Sequence, residues 1–222
     1  MNWAAYIGSD GHAYTPPVSP NASSRTPRRG GVATLAMTVA IAAAGGSAWV
    51  ASAGTAPNGL SYSTASGGVV QRQPPAGSCH ARGKGLYSRP DAGCTPGALN
   101  PAVTQATLNT TICRGGWTST VRPAERITRR EKLASMSSYG DGSLTSAFEY
   151  DHVVALELGG AVNDPRNLWP EPGYAVRSGF YLNPKDRLER VLNRLVCSGG
   201  ISLAQAQRKI ATDWVSAYRR YG

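Results

Sequence analysis

No C-x-x-C pair occurs among the four cysteines, Cys79, Cys94, Cys113 and Cys197. Closely spaced cysteine pairs mark structural zinc modules, so the spacing argues against one here. No internal repeat is present, which excludes a solenoid or propeller array. No helix-turn-helix, zinc-finger or base-stacking pattern is present, so little sequence readout on a nucleic acid is expected. Histidine is scarce, with three in 222 residues. His12 lies in a Pro-, Ser- and Asn-rich head and His80 beside a cysteine, leaving His152 as the one histidine of the predicted domain core. Acidic residues are also outnumbered, with 13 Asp and Glu against 23 Lys and Arg and a net charge of +10.

The basic surplus belongs to the body of the chain. From Gly54 onward there are 20 Lys and Arg against 12 Asp and Glu, a surplus of 8. Such a surface favours polyanions, nucleic acid or an anionic membrane face, over acidic partners; a merely soluble basic protein would have the same charge. Residues 1–30 carry no apolar period and read as a disordered head. Residues 31–53 follow Arg28-Arg29, contain Leu35, Met37, Val39 and Ile41, and end in Ala51-Ser-Ala53. A basic start, an apolar run and small residues at the end form an export-signal pattern. The run also has the length of a single-pass anchor. Cleavage near Ala53 is the expectation, with only transient membrane contact, and a retained N-terminal anchor is the alternative. Residues 54–76 are rich in Gly, Ser, Ala and Pro and read as a linker. The domain is then expected over 77–222. Four cysteines beyond an export signal favour disulfides over free buried thiols. The expected pairing is Cys79 with Cys94, closing a short Gly-rich loop, and Cys113 with Cys197, tying the start of the domain to its helical end.

Within the domain the pattern alternates between the two periods. Gly115 to Pro123 reads as β-like and then turning. Thr128 to Tyr139 reads as a helix with Thr128 as N-cap and Glu131 completing a capping box, stopped at Gly140-Asp-Gly142. Phe148 to Leu158 suits a strand, and Asn163 to Trp169 a turn and returning strand. Asn183-Pro184 opens a helix, Asn as cap and Pro at the first position. Leu188, Val191, Leu192, Leu195 and Val196 make its buried face; Arg187, Arg190 and Arg194 make another stripe. Ser198-Gly199-Gly200 ends it. Ser202 and Gln205 cap a last helix with Leu203, Ala206, Ile210, Trp214 and Ala217 inward.

The chemistry concentrates in Glu149-Tyr-Asp-His-Val-Val-Ala-Leu-Glu-Leu-Gly-Gly160, closed by Asn167-Leu-Trp-Pro170. Asp151 is a hard oxygen ligand suited to a divalent cation. His152 is a proton acceptor near neutral pH. Phosphodiester hydrolysis needs an activated water and a counter-charge on the leaving oxygen, and this pair offers both. Consecutive strand residues point to opposite faces, so a shared site needs a distorted strand. The plain alternative is a structural ion pair for Asp151 and a hydrogen-bonded surface His152.

This stretch resembles the hairpin of the HNH, or ββα-metal, nucleases, with Ala155 where that family often has Pro. Over about 90–220 the chain also resembles small exported bacterial HNH proteins. That likeness runs through Pro90-Asp91, Cys94-Thr-Pro-Gly97, Thr111-Ile-Cys113, Arg122-Pro123, Tyr139-Gly140, Lys185-Asp186 and Val196-Cys197. The resemblance implies an α+β fold, a ββα-metal hairpin-plus-helix core with flanking helices, stapled by disulfides. It implies His152 as general base and Asn167 as the residue that holds the hairpin loop. It implies Asp151 as one metal ligand and a second on the following helix. Asp186 leads there, with Glu189 and Asn183 as alternatives; Asp186 also suits the helix terminus without any metal. The cation implied is Mg²⁺, with Mn²⁺, Zn²⁺ or Ni²⁺ as alternatives. Phosphate is expected at Arg177 or Lys185, with Arg166 and Arg190 nearby, although a solvated helix face explains each arginine as well. Trp117 and Trp169 are expected in the core rather than against bases.

The expected activity is therefore that of an exported, metal-dependent endonuclease acting on DNA, and on RNA as a second substrate, with low sequence selectivity. No obligate protein partner is evident. Two rivals remain open: a non-catalytic basic nucleic-acid-binding module on the same scaffold, and a disulfide-stapled cell-surface structural protein.

Overall fold

The computed structural model describes residues 54–65, 67–142, 144–177 and 180–222, with the backbone alone over 174–177 and 180–182. The head and export segment expected over 1–53 lie outside the described residues. The fold is α+β and carries two disulfides. Strands β1 (Ser61–Tyr62) and β2 (Ala98–Leu99) pair in parallel. Helices α1 (Trp117–Val121) and α2 (Glu125–Ser138) follow. β3 (Phe148–His152) and β4 (Leu168–Pro172) form an antiparallel hairpin; β5 (Tyr174–Arg177) and β6 (Phe180–Leu182) form a second. Helices α3 (Pro184–Cys197) and α4 (Leu203–Tyr221) close the chain.

The core lies where α3 and α4 meet the loop after β3. Leu188, Leu192 and Val196 of α3 and Leu203, Ala206, Ile210 and Trp214 of α4 are buried with Leu99, Val154 and Leu158. Both helices start as their caps predict. The Asn183 side chain accepts from the Asp186 amide at 3.0 Å, with Pro184 at the first helical position. Ser202 and Gln205 bond each other's amides at 3.2 and 3.0 Å. Val191 and Leu195, expected on the buried face of α3, are only half-buried.

Both disulfides pair as expected, Cys79 with Cys94 and Cys113 with Cys197, and no described cysteine is free. Two disulfides are the chemistry of an oxidising, extracytoplasmic compartment. Among the described residues no helix is long and apolar enough to cross a membrane. Non-reducing peptide mapping of the purified protein is expected to recover both linked peptides and no free thiol. Loss of the bond between Cys79 and Cys94, which are 15 residues apart, should cost about 3 kcal/mol by loop entropy.

Three local expectations are corrected. Gly115–Pro123 does not extend; it turns at Gly116 into α1, because burying Trp117 outweighs the weak strand preference of a Thr- and Ser-rich run. The Ser119 and Thr120 hydroxyls bond back to Gly116 and Trp117 carbonyls, which satisfies the short turn. α2 starts at Glu125, three residues before Thr128. Glu131 is no capping residue. It is buried, and its Oε1 accepts from the Gln71 amide at 2.6 Å and Asn163 Nδ2 at 3.0 Å. The stretch 54–76, expected as a linker, is fastened to the domain. Ser63 donates to Asp164 at 2.7 Å, Asn58 to Gln207 at 2.8 Å and Gln73 to Tyr150 at 3.1 Å. A polar segment without apolar period can still be ordered when its hydrogen-bonding groups find fixed partners.

Candidate functional site

The β3–β4 hairpin is in unbroken register, with Glu149 opposite Glu171, Asp151 opposite Trp169 and His152 opposite Leu168. No bulge interrupts it, so the distortion that would turn Asp151 and His152 to one side is not seen in this pairing. Asp151 reaches toward α3. His152 reaches the loop after the hairpin turn, where its Nε2 lies 3.1 Å from the Val162 carbonyl oxygen. That oxygen can only accept, so Nε2 carries the hydrogen and Nδ1 of a neutral ring keeps its lone pair. His152 is 7% exposed. Burial, outweighing the neighbouring Asp151 carboxylate, lowers its pKa to about 4, so the ring is neutral at pH 7.

Asn167 holds the loop between the two strands. It is fully buried. Its Oδ1 accepts from the Val154 amide at 2.9 Å and the Ala98 amide at 3.4 Å. Its Nδ2 donates to the Val154 and Ala161 carbonyls at 3.1 and 2.9 Å, and its own carbonyl accepts from the Val153 amide at 2.8 Å. The loop closes this tightly only because residue 160 is glycine: a Cβ there would stand 1.7 Å from the Val154 carbonyl oxygen. Ala155, the departure from the HNH pattern, sits at φ −56°, within the range to which proline is locked.

On the α3 side three carboxylates converge on one ammonium. Lys185 Nζ lies 2.5 Å from Asp151 Oδ2, 2.6 Å from Glu189 Oε1 and 3.4 Å from Glu171 Oε2. The Lys185 and Glu171 side chains are each 1% exposed. Neither Glu171 oxygen makes a well-aligned hydrogen bond; its polar contacts are Lys185 at 3.4 Å and the neighbouring Asp151 carboxyl. Burial would raise the Asp151 pKa, but Lys185 and then His152 hold it at about 2. Burial would lower that of Lys185, but Asp151, Glu171 and Glu189 raise it well above the usual lysine range. Burial raises Glu171 and Glu189 well above the usual carboxylate range, and Asp151 adds to both. Glu149 is raised to about 8 by burial, Asp151 and Asp186. Asp186 is raised to about 6 by burial and then by Asp151.

These shifts set the sign of a pH dependence. A carboxylate raised on folding stabilises fully below its unfolded value, and that contribution is lost as pH rises through its folded value. Asp186 therefore loses stability up to about pH 6 and Glu149 up to about pH 8. Glu171 and Glu189 act in the same direction. His152, lowered on folding, acts the other way, its contribution being lost as pH falls from 6.5 to about 4. Asp151 matters only below about pH 4. The carboxylates outnumber the histidine, so the melting temperature is expected to fall by several degrees from pH 5 to pH 8. A Glu149→Gln variant scanned by calorimetry should show a smaller decline between pH 5 and pH 8 than wild type, Glu171 and Glu189 keeping the remainder.

Of the residues expected at a site, the structure brings together Asp151, Lys185, Glu189 and Asp186. Lys185 was expected at phosphate. It is instead buried among carboxylates, because it shares the inward face of α3 with Leu188, Leu192 and Val196. Arg166 is held by Asp164, with Nε and Nη2 at 3.0 and 2.6 Å from the two carboxylate oxygens. Arg190 is exposed, as are Arg187 and Arg194. Arg177 ends β5, and its side chain lies outside the described residues. Trp117 and Trp169 are both buried. Glu171 and Glu149 were missed. Their signal was the two-residue period of the hairpin, which puts Glu149, Asp151 and the partner of Glu149 on one face. Comparison of the chain with protein-family models, with curated proteins and with solved structures finds no match.

Proposed function

We propose that this protein is an exported endonuclease of the HNH type, hydrolysing phosphodiester bonds of DNA, and of RNA as a second substrate, with low sequence selectivity. The observation that carries this reading is the state of His152. It is neutral at pH 7, its Nε2–H is committed to the Val162 carbonyl, and its Nδ1 is left as a proton acceptor. The loop that presents it is held by Asn167, and α3 follows the hairpin after the intervening β5–β6 hairpin. In this mechanism His152 Nδ1 takes a proton from the attacking water, and the exposed Arg187, Arg190 and Arg194 attract phosphate without reading bases.

The resemblance also implies a divalent cation at Asp151 and Asp186. Their hard oxygens have the right chemistry. Their arrangement does not fit: among the described residues no group of three or more His, Cys, Asp or Glu side chains is placed to hold a metal ion, and Asp151 is taken up by Lys185. No step is therefore routed through a cation. That closed cluster is also what favours the second reading, a non-catalytic nucleic-acid-binding module. Supercoiled plasmid incubated with the purified protein, with Mg²⁺ or Mn²⁺ and with EDTA, separates the two. Nicking and linearisation are expected. Duplex binding at low salt with no cleavage from pH 5 to 9 would leave the binding module standing.

A further inference from the structure

We propose that Glu131 is a positioning residue for His152: acting through Asn163, it fixes the peptide whose Val162 carbonyl selects the tautomer of the imidazole. The use made of that tautomer rests on the nuclease reading; the chain of hydrogen bonds does not.

His152 Nε2 lies 3.1 Å from the Val162 oxygen, and this one contact decides which ring nitrogen keeps its lone pair. The oxygen belongs to the peptide between Val162 and Asn163. The loop has other anchors on either side of that peptide. Before it, the Ala161 amide donates to the Ala98 carbonyl at 2.8 Å, and the Ala161 carbonyl accepts from Asn167 Nδ2 at 2.9 Å. After it, the Asp164 carboxylate accepts from Ser63 at 2.7 Å and from the Arg166 amide at 2.9 Å. The peptide itself is held through the Asn163 side chain, which is 1% exposed. Its Nδ2 donates to Glu131 Oε1 at 3.0 Å and to the Val69 carbonyl at 2.9 Å. Glu131 Oε1 also accepts from the Gln71 amide at 2.6 Å. A single oxygen of α2 thus joins the loop that orients His152 to the segment around Val69 and Gln71.

Glu131 faces inward on α2, one turn from Ile127 and one from Ser135, and all three are buried. An apolar side chain at such a position costs less than a carboxylate, unless the carboxylate has donors to hold. The donors held here are those that fix Asn163 and its neighbour. Without that hold the Val162–Asn163 peptide can rotate as a rigid plane, by opposite changes in ψ of Val162 and φ of Asn163. Rotation turns the carbonyl away from the ring and the Asn163 amide toward it. An amide N–H only donates, so Nε2 would accept and the proton would stay on Nδ1. That tautomer has no proton acceptor at the nitrogen the nuclease reading uses.

The test is the tautomer, read at pH 7 from the ring-nitrogen NMR shifts of the disulfide-bonded protein. The chain has three histidines, so the His152 signals are those lost in His152→Ala. Wild type should be protonated at Nε2 alone. Glu131→Ala should populate the Nδ1-protonated form, and should lower kcat for plasmid nicking by about 10–10²-fold with KM changed by less than about twofold. Glu131→Gln keeps an acceptor at Oε1 and should keep both the wild-type tautomer and the wild-type rate. A role in stability alone would lower the melting temperature of Glu131→Ala and leave the ring of the folded protein unchanged. A folded Glu131→Ala protein with only the Nε2-protonated ring overturns the proposal, as does a tautomer mixture in Glu131→Gln. If Glu131→Ala does not fold, Asn163→Ala takes its place with the same two outcomes. Wild type gives a further reading: the Nε2 proton of His152 and the Nδ2 protons of Asn163 should show the same protection from deuterium exchange, because one opening frees both. Protection of the ring proton more than about tenfold weaker overturns the proposal. A His152→Ala protein that cuts as fast as wild type would sink the nuclease reading and leave the tautomer result standing. A single tautomer in folded Glu131→Ala would sink the positioning role and leave His152 as the base.

Discussion

His152→Ala is expected to slow plasmid cleavage by about 10²–10⁴-fold, the range for losing a general base. The pH profile should report the same group. His152 is buried and its pKa is lowered to about 4, so the wild-type rate should rise through about pH 4 as the ring loses its proton, and not through pH 6.5. The alanine variant should lack that limb altogether. The imidazole is buried and makes one hydrogen bond, to the Val162 carbonyl, so the variant should also lose about 1–2 kcal/mol of stability. Activity must therefore be compared at a temperature where circular dichroism shows both proteins folded. Equal rates under those conditions would remove His152 from the mechanism. A normal alanine rate with an unchanged acid limb would point to another base.

Much of the scaffold could be read from the chain because its signals are local. The helices α3 and α4 each carry a capping residue and an apolar stripe, and both formed where those signals put them. The Asp-His strand, the Gly-Gly turn and the returning strand are likewise a short-range pattern. What escaped was set by distant partners. Trp117 is drawn into the core and takes its neighbours into a helix. Glu131 is claimed by Gln71 and Asn163, from 60 residues before and 32 after, and no capping pattern encodes that. Lys185 is the clearest case. Its place beside three arginines suggested a phosphate contact, yet its spacing from Leu188, Leu192 and Val196 put it on the buried stripe. Its i, i+4 relation to Glu189 was also visible. Asp151 and Glu171, 34 and 14 residues upstream, became its partners only through the fold of the hairpin against α3.

Asn167→Ala is expected to cost about 4–6 kcal/mol, because it strands several buried groups at once. The amide side chain satisfies the Val154 amide, the Ala98 amide, and the Val154 and Ala161 carbonyls. Each of these loses its partner where water cannot replace it, at about 1–3 kcal/mol apiece before relaxation. Relaxation is limited, since Gly160 already stands against the Val154 carbonyl and the loop cannot close further. Asn167→Asp tests the direction of the bonds. It keeps the oxygen facing the two amides but sets a second oxygen against two carbonyls, so it should be at least as destabilising near neutral pH. Asn193 is the matched control. Its Nδ2 donates to the Glu157 and Ile112 carbonyls at 2.7 and 3.3 Å, and its side chain is only half-buried. Asn193→Ala should therefore cost about 1–2 kcal/mol. Urea titration with the disulfides intact gives all three values on one scale. A loss below about 1 kcal/mol for Asn167→Ala would mean that the loop is held by its own backbone turns, and Asn167 would then have no part in placing His152.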